Sequence, residues 1–140
     1  MLLQQLNRGD AERIFLAIQN RSGVTVTQGA MACFDYSAAN ASLGNAIATP
    51  ATSNLALFAG VLDADMSADA YGLVQVYGYR ASIVVNVGGA SISAAGLLIG
   101  PLNACWSGQS SGRTFGLGPI AVFENDLSAS GWVRGFIRAL

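Results

Sequence analysis

The sequence predicts an all-β fold, either an antiparallel β-sandwich or a jelly-roll-like barrel, with an extended N-terminal arm. Short runs of β-branched and aromatic residues recur along the chain, and clusters of Gly, Ser, Asn and Asp separate them. Many short strands without a convincing helix are typical of sandwiches and barrels. With 140 residues the chain is long enough for one core. We therefore expect residues 1–11 to form the arm and residues 12–140 to form a single β-sandwich domain.

The first two strands are predicted on either side of a tight turn. Residues 12–20 (ERIFLAIQN) have the composition of a strand, and residues 21–23 (RSG) would link them in a hairpin to residues 24–34. Val and Thr alternate at the start of that second segment, and Gly29 indicates a bulge or bend. An amphipathic helix over residues 11–20, capped by Asp10, is the alternative for the first segment.

The middle of the chain predicts a loop followed by two strands. Residues 36–53, rich in Ala, Asn, Ser and Thr, are expected to form a long surface loop or a weak strand. Residues 54–62 are apolar enough for a strand covered on both faces, and residues 63–70 form a polar connection.

Residues 71–87 predict one long strand or a bent pair, which ends at Gly88 and Gly89. One face would carry Tyr71, Leu73, Gln75, Tyr77 and Tyr79, and the other Val74 and Val76.

The last third of the chain predicts three strands and a loop. Residues 96–101 are expected to form a short buried strand, and residues 107–118, dominated by Ser and Gly, a flexible loop. Residues 119–125 and 131–140 have the composition of the final strands, joined by a polar turn.

Charge is scarce throughout the sequence. Charged residues make up 11% of the chain and hydrophobic residues 52%, against roughly 25% charged residues in ordinary soluble domains. Two long stretches, residues 36–62 and 81–112, contain no charged side chain. With a net charge of −1 the chain has no long-range field that would attract a polyanion, so we expect no direct contact with nucleic acid.

A bilayer does not explain the uncharged stretches. A spanning helix needs about 20 mostly apolar residues, whereas Ser, Asn and Gly repeatedly interrupt residues 81–100. The N-terminal residues lack the basic start and long apolar core of a signal peptide. We therefore expect synthesis in a cytosol and no membrane partner. In that reducing compartment Cys33 and Cys105 are expected to be free, buried thiols, with a disulfide as the alternative.

The residue inventory excludes most enzyme classes. The sequence contains no His and no Lys, which removes Ser–His and Cys–His nucleophiles, imidazole metal ligands, Schiff bases and the P-loop. Glu124 and Asp126 are left as a carboxylate pair for acid–base chemistry, or as solvated turn residues. We expect no catalytic residue and no cofactor.

The segment DADMSAD spaces oxygen ligands two residues apart, in a pattern that Ca²⁺ can use. Those residues are Asp63, Asp65, Ser67 and Asp69. The EF-hand pattern fails because Ala68 stands where Gly is needed and Val74 where Glu is needed. We expect the aspartates to cap local backbone amides and no metal to bind, with Ca²⁺ as the alternative.

Four stretches, taken in order, resemble the capsid decoration or cement proteins of tailed bacteriophages. They are NRSGVTVTQGAMACFD, SADAYGLVQVYGY, ASISAAGLLIG and PIAVFENDLSASGWVRGFIRAL. The resemblance implies a β-sandwich or jelly-roll core and assembly on the capsid surface of a virion, often as a homotrimer, with the major capsid protein as partner. Synthesis would take place in the host cytoplasm. Uncharged Ala, Ser, Gly and Asn suit the closely packed interfaces of such a shell.

The expected interface residues are Leu2, Leu3, Leu6 and Trp106. The three leucines form an apolar cluster in the arm, with Gly9 as a hinge, and would dock on a neighbour. Trp106 lies beside the predicted flexible loop, and both tryptophans, Trp106 and Trp132, otherwise suit a core. A sugar- or surface-binding β module of a phage fibre or adhesin is the alternative function, which exposed aromatics on residues 106–116 would favour. A small enzyme that uses carboxylates alone is the third possibility.

Overall fold

The fold is built from nine strands within the residues that the computed structural model describes, which are 12–37, 39–86, 96–110, 119–123 and 130–139. The all-β fold class predicted from the sequence is confirmed, and a single turn of 3₁₀ helix at Ala41–Leu43 is the one helical element of this part of the chain. The strands are β1 Ile14–Asn20, β2 Met31–Phe34, β3 Ala46–Ala48, β4 Phe58–Leu62, β5 Tyr71–Val85, β6 Leu98–Leu102, β7 Cys105–Ser110, β8 Ile120–Val122 and β9 Gly131–Arg138.

All nine strands belong to one sheet that closes on itself twice around β5. Strands β1, β3, β2 and β4 pair in that order, and the two outer strands of this row, β1 and β4, both pair with the first half of β5. We call this closed set of strands the first ring. Strands β7, β6, β8 and β9 pair in that order, and β7 and β9 both pair with the second half of β5. We call this closed set of strands the second ring. The β1–β3 and β5–β7 pairings are parallel, and the other pairings of the described strands are antiparallel. Closure leaves few unpaired strand edges.

Each ring encloses its own apolar core, because alternate side chains of a strand point to opposite faces. The first core contains Ile18, Val26, Ala30, Ala32, Ile47, Ala59, Leu62, Met66, Val74 and Val76. The second core contains Met31, Val61, Ile83, Val85, Ile99, Ile120, Val122, Val133 and Ile137. Met31 and Val61 come from strands of the first ring, so the outer faces of β2 and β4 form part of the second core and join the two rings.

The long strand β5 is continuous and bends at Gly78, which has a φ of +103°. A Cβ atom at this position would overlap the carbonyl oxygen of Glu12, so glycine allows the start of β1 to cross β5 closely. Tyr71 and Leu73 are exposed, and Val74 and Val76 are buried, as the alternation predicts. Gln75, predicted to share a face with Tyr71 and Leu73, is buried although they are exposed, because its amide bonds to backbone carbonyls at the bend.

The predicted hairpin between the first two segments is wrong. β1 pairs with β3 and β5, and β2 pairs with β3 and β4. The cause is Asn20, whose buried amide nitrogen donates to the carbonyls of Val24, Met66 and Ser67, while its oxygen accepts from the Ser22 amide. Asn20 therefore holds the turn against the loop after β4 and directs the chain there, where Val26 bridges to Met66.

Two segments contain strands, one expected to be a loop or a weak strand and the other expected to be a loop. Within residues 36–53, β3 fills the gap between β1 and β2, with Ala46 and Ile47 buried. Within residues 107–118, the part up to Ser110 belongs to β7, and residues 111–118 lie outside the described residues. At Gly108 the small residue is required by packing, because the Met31 side chain occupies the space of its missing Cβ.

Candidate interaction surface

The most distinctive surface is an apolar band on the outside of the second ring. β9 alternates regularly: Val133, Gly135 and Ile137 point into the core, and the residues between them point outward. Aromatic side chains of β5 and of the chain around β8 share this outer side. We call the band the aromatic face and define it by Ile14, Tyr77, Tyr79, Phe123 and Phe136.

Strand register brings these residues together. Tyr79 lies directly opposite Phe136, and Tyr77 lies opposite Arg138 on one side and Ile14 on the other. The Tyr77 and Phe136 rings meet edge to face with centroids 5.1 Å apart. Tyr79 stacks on Phe123 at 6.0 Å. Aromatic pairs in these geometries contribute about 0.5–1.5 kcal/mol beyond their burial, so the rings are held in place before any partner arrives.

Large apolar side chains are exposed near the aromatic face and elsewhere on β5. Phe123 is 46% exposed, and Leu73 and Tyr71 are 48% and 70% exposed. Arg134 and Arg138 point outward from β9 beside the aromatic rings. An apolar centre with basic groups at its margin has the composition of a protein-binding surface, in which aromatic residues and Arg are enriched.

Trp132 forms a second exposed aromatic site on the same strand. It is 55% exposed, and its ring lies against Gly29, where a Cβ atom would collide with it. Beside it, the Ser130 hydroxyl donates to the Asn86 side chain at 3.1 Å. A core position for Trp132, one reading of the sequence, is therefore wrong. Trp106 is half-buried and packs against the first core, and its interface role stays a prediction.

The remaining predicted interface residues lie outside the described part of the chain. Leu2, Leu3 and Leu6 belong to residues 1–11, so their docking on a neighbour stays a prediction. Glu124 and Asp126 also lie outside the described residues.

The aspartates after β4 are each engaged by the protein itself. Asp63 pairs with Arg80 at 3.0 Å, and Asp69 pairs with Arg21 at 2.8 Å. Asp65 accepts the backbone amide of Gln28 at 2.7 Å. Among the residues described, no group of three or more His, Cys, Asp and Glu side chains is arranged to hold a metal ion. The loop thus fastens β4 and β5 to neighbouring turns. The expected capping of local backbone amides is wrong for these contacts, because Asp63 and Asp69 pair with arginines and Asp65 accepts the amide of the distant Gln28.

Both cysteines are free, as predicted, but of the two only Cys33 is also buried as predicted. Cys33 lies in the interior, and burial raises the pKa of its thiol to about 12. Cys105 is half-buried, with its sulfur 2.7 Å from the Ser107 hydroxyl. Neither thiol belongs to the aromatic face.

Comparison with known proteins gives no relative from which a role can be transferred. No protein-family model matches the chain, and no curated protein matches it in sequence.

No described helix is both long and apolar enough to pass through a bilayer. Phe123 and Phe136 were not among the predicted interface residues, although the alternation in GWVRGFIR places Trp132, Arg134 and Phe136 on one face. The aromatic face must therefore be interpreted from its own residues.

Proposed function

We propose that the protein is a structural, non-catalytic virion subunit that binds the outside of a tailed-phage capsid through the aromatic face. Its partner would be the major capsid protein, and the subunits would associate as a homo-oligomer, most simply a trimer. The observation that carries the proposal is the aromatic face itself, a preformed and partly exposed set of aromatic side chains on a closed sheet.

The physical argument concerns what binding would cost. Tyr, Phe and Arg contribute a large share of the binding energy of protein interfaces. The ring pairs Tyr77–Phe136 and Tyr79–Phe123 are already ordered by contact with each other and by strand pairing. A partner would therefore restrict little side-chain motion on binding, which lowers the entropic cost. Among the described strand residues, Arg134 and Arg138 of β9 point outward beside the face.

The scarcity of charge supports the oligomeric part of the proposal. A chain with 11% charged residues and exposed Tyr71, Leu73 and Trp132 presents more apolar surface than an isolated small domain usually does. Repeated contact with identical neighbours on a closed shell would cover that surface. The ordered resemblance of four sequence stretches to capsid decoration proteins points to the same setting.

The test measures occupancy on the capsids of the source particle. Phe123→Lys places a charge in the aromatic face, where burial against a partner would be costly. Tyr36→Lys is the matched control, because Tyr36 is comparably exposed and lies outside the face. We expect Phe123→Lys to lose about tenfold or more in affinity and Tyr36→Lys to bind as the parent does. Equal binding by all three proteins, with unchanged circular dichroism, would refute attachment through this face.

Trp132 supports a second candidate, binding of a carbohydrate. An indole ring exposed on one side, beside the amide of Asn86 and the hydroxyl of Ser130, offers a stacking plane with hydrogen-bonding groups at its edge. Titration of oligosaccharides against intrinsic fluorescence, compared between the parent and Trp132→Phe, tests it. A saturable change that disappears in the variant is expected; identical titrations would exclude the site.

A further inference from the structure

Two segments of the first ring follow the same unusual backbone path. β1 leads through one loop to β2, and β4 leads through another loop to β5. The two loops cross where Val26 and Met66 exchange backbone hydrogen bonds of 2.9 and 2.8 Å. Beyond each crossing point the chain adopts a left-handed conformation, with a φ of +78° at Gly29 and +60° at Asp69. The two loops therefore correspond to each other residue by residue.

The hydrogen bonds that anchor the two loops also correspond. The amide of Gly29 donates to the carbonyl of Leu62 at the end of β4. The amide of Asp69 donates in the same way to the carbonyl of Asn20 at the end of β1. In each case the strand-end residue donates its own amide back to the residue that follows the left-handed one. An approximate two-fold axis between the crossing loops therefore relates β1 to β4 and β2 to the start of β5.

This axis relates two outer faces of the first ring that have opposite surroundings. On the side of β2 and β4, Met31 lies opposite Val61, and both are fully buried because they belong to the second core. The corresponding pair on the side of β5 and β1 is Tyr71 and Gln19, and Tyr71 is 70% exposed. The chain's own second ring thus covers one of the two equivalent faces and leaves Tyr71, on the other, in contact with solvent.

We call this second side the Tyr71 face and define it by Ala17, Gln19, Tyr71 and Leu73. Ala17 lies opposite Leu73, and both side chains are exposed. None of the four residues is charged. Exposed apolar side chains that adjoin one another mark interaction sites, and the counterpart of this face is covered by an apolar surface. The Tyr71 face is therefore suited to an uncharged, apolar partner.

We propose that the Tyr71 face of a second copy of this chain covers it, in a contact related by a two-fold axis. Such a contact uses the same surface twice, and it is the commonest arrangement of identical subunits. A second copy supplies the required apolar, uncharged surface at the same concentration as the face itself. The inference rests on the first ring alone and does not depend on what the aromatic face binds.

The charges at the margin of the Tyr71 face are self-complementary. Arg21 pairs with Asp69 at 2.8 Å, and both side chains are partly exposed. The backbone carbonyl of Asp69 accepts the side-chain amide of Gln19 at 3.1 Å, which places the ion pair beside the face. Each copy therefore brings one cation and one anion to the contact, so the guanidinium of one copy can bind the carboxylate of the other. A partner with a strong net charge would instead meet like charge at this margin.

The small size of the face predicts a weak contact. It contributes four residues and one ion pair per copy, whereas a standard interface has about 20–30 residues on each side. We therefore expect a dissociation constant of about 10 µM to 1 mM. Such a contact forms at high protein concentration and is lost on dilution.

Sedimentation equilibrium at protein concentrations of about 10–500 µM tests the contact. We expect the average mass of the parent to double with concentration, whatever oligomer the subunits form through other surfaces. Leu73→Lys, which would bury a charge in the contact, should weaken this association about tenfold or more. Leu57→Lys is the matched control, because Leu57 is comparably exposed and lies outside the face, and it should behave as the parent does. A parent whose mass does not double, or equal weakening in the two variants, would overturn the proposal.

Exchange of the marginal charges tests whether the partner is a second copy related by a two-fold axis. Arg21→Asp and Asp69→Arg should each self-associate about tenfold more weakly than the parent, because like charges then meet across the axis. An equimolar mixture should recover association, since each variant supplies the charge that the other lacks. Circular dichroism confirms before mixing that both variants fold. A mixture that associates no more strongly than the separate proteins would contradict the two-fold arrangement.

Discussion

Arg80 holds Asp63 at 3.0 Å at the junction of the two rings, although Arg80 is 6% exposed and Asp63 is half-exposed. The same guanidinium donates to the carbonyl oxygens of Leu62 and Ser82 and to the side-chain oxygen of Gln75. Gln75 in turn donates to the carbonyls of the bent part of β5. One buried cation therefore satisfies the backbone where β4 ends and β5 turns from the first ring into the second.

Replacing Arg80 should destabilise the whole domain. Arg80→Met preserves length and removes the donors, which leaves the Gln75 side-chain oxygen buried without its donor and leaves the Leu62 carbonyl with the Gly29 amide as its remaining donor. We expect a loss of about 2–4 kcal/mol in the free energy of unfolding, measured with urea at neutral pH. Asp63→Asn should cost less than about 1 kcal/mol, because the carboxylate is largely solvated. Equal losses in the two variants would assign the effect to the ion pair alone.

Cys33 should make the protein sensitive to alkaline pH. Its pKa in the folded state is raised to about 12 by burial, whereas an unfolded thiol ionises near pH 8.5. The contribution of the Cys33 thiol to the free energy of unfolding is fully present below the unfolded pKa. It falls as the pH rises toward the folded pKa, because only the unfolded chain releases the thiol proton. The expected slope is about 1.4 kcal/mol per pH unit above pH 9. Urea unfolding from pH 8 to 10.5 should show a steeper decline for the parent than for Cys33→Ala; parallel curves would contradict it.

Gly60 should tolerate no side chain. Its φ is +140°, and a Cβ atom there would lie 2.6 Å from the carbonyl oxygen of Gln75. Gly60→Ala is expected to cost about 2–4 kcal/mol, as a strained backbone combined with overpacking. Gly131→Ala is the control, since open space surrounds that position, and it should change stability by less than about 0.5 kcal/mol. Thermal unfolding of both variants decides the matter.

The two tryptophans should respond differently to a quencher. Trp132 is exposed on the outer face of β9, and Trp106 packs against the first core. Iodide should therefore quench mainly the fluorescence of Trp132. Trp132→Phe should leave a weaker emission spectrum that is shifted to the blue and less sensitive to iodide. The reciprocal variant Trp106→Phe should keep the quenchable part. A reversed pattern would contradict the placement of both rings.

The sequence was informative where side-chain pattern alone determines the outcome. Alternation of valines and aromatics located β5, and the composition of the last segment located β9. It failed where a single polar side chain bonds to the backbone: Asn20 prevents a hairpin that the RSG turn favours, and the Gln75 amide turns inward to bond to carbonyls at the bend of β5. For the segment that contains β3 it left a loop and a weak strand open, and for the part of β7 from Ser107 it predicted a loop. The small residues of both segments give no strand pattern of their own, because the space between larger neighbouring strands determines where they pair. The aromatic face depends on the register between β5 and β9, which local composition does not determine.

Sharing β5 makes the two cores interdependent. If the strands of one ring separate from β5, the other ring loses hydrogen-bond partners on the same strand. Met31 and Val61, whose strands belong to the first ring, would also lose their contacts in the second core. The molecule therefore has two hydrophobic centres but one cooperative unit. It should melt in a single calorimetric transition, and neither half of the chain should fold alone. Because most of its pairings join residues distant in sequence, we expect it to fold slowly for its size.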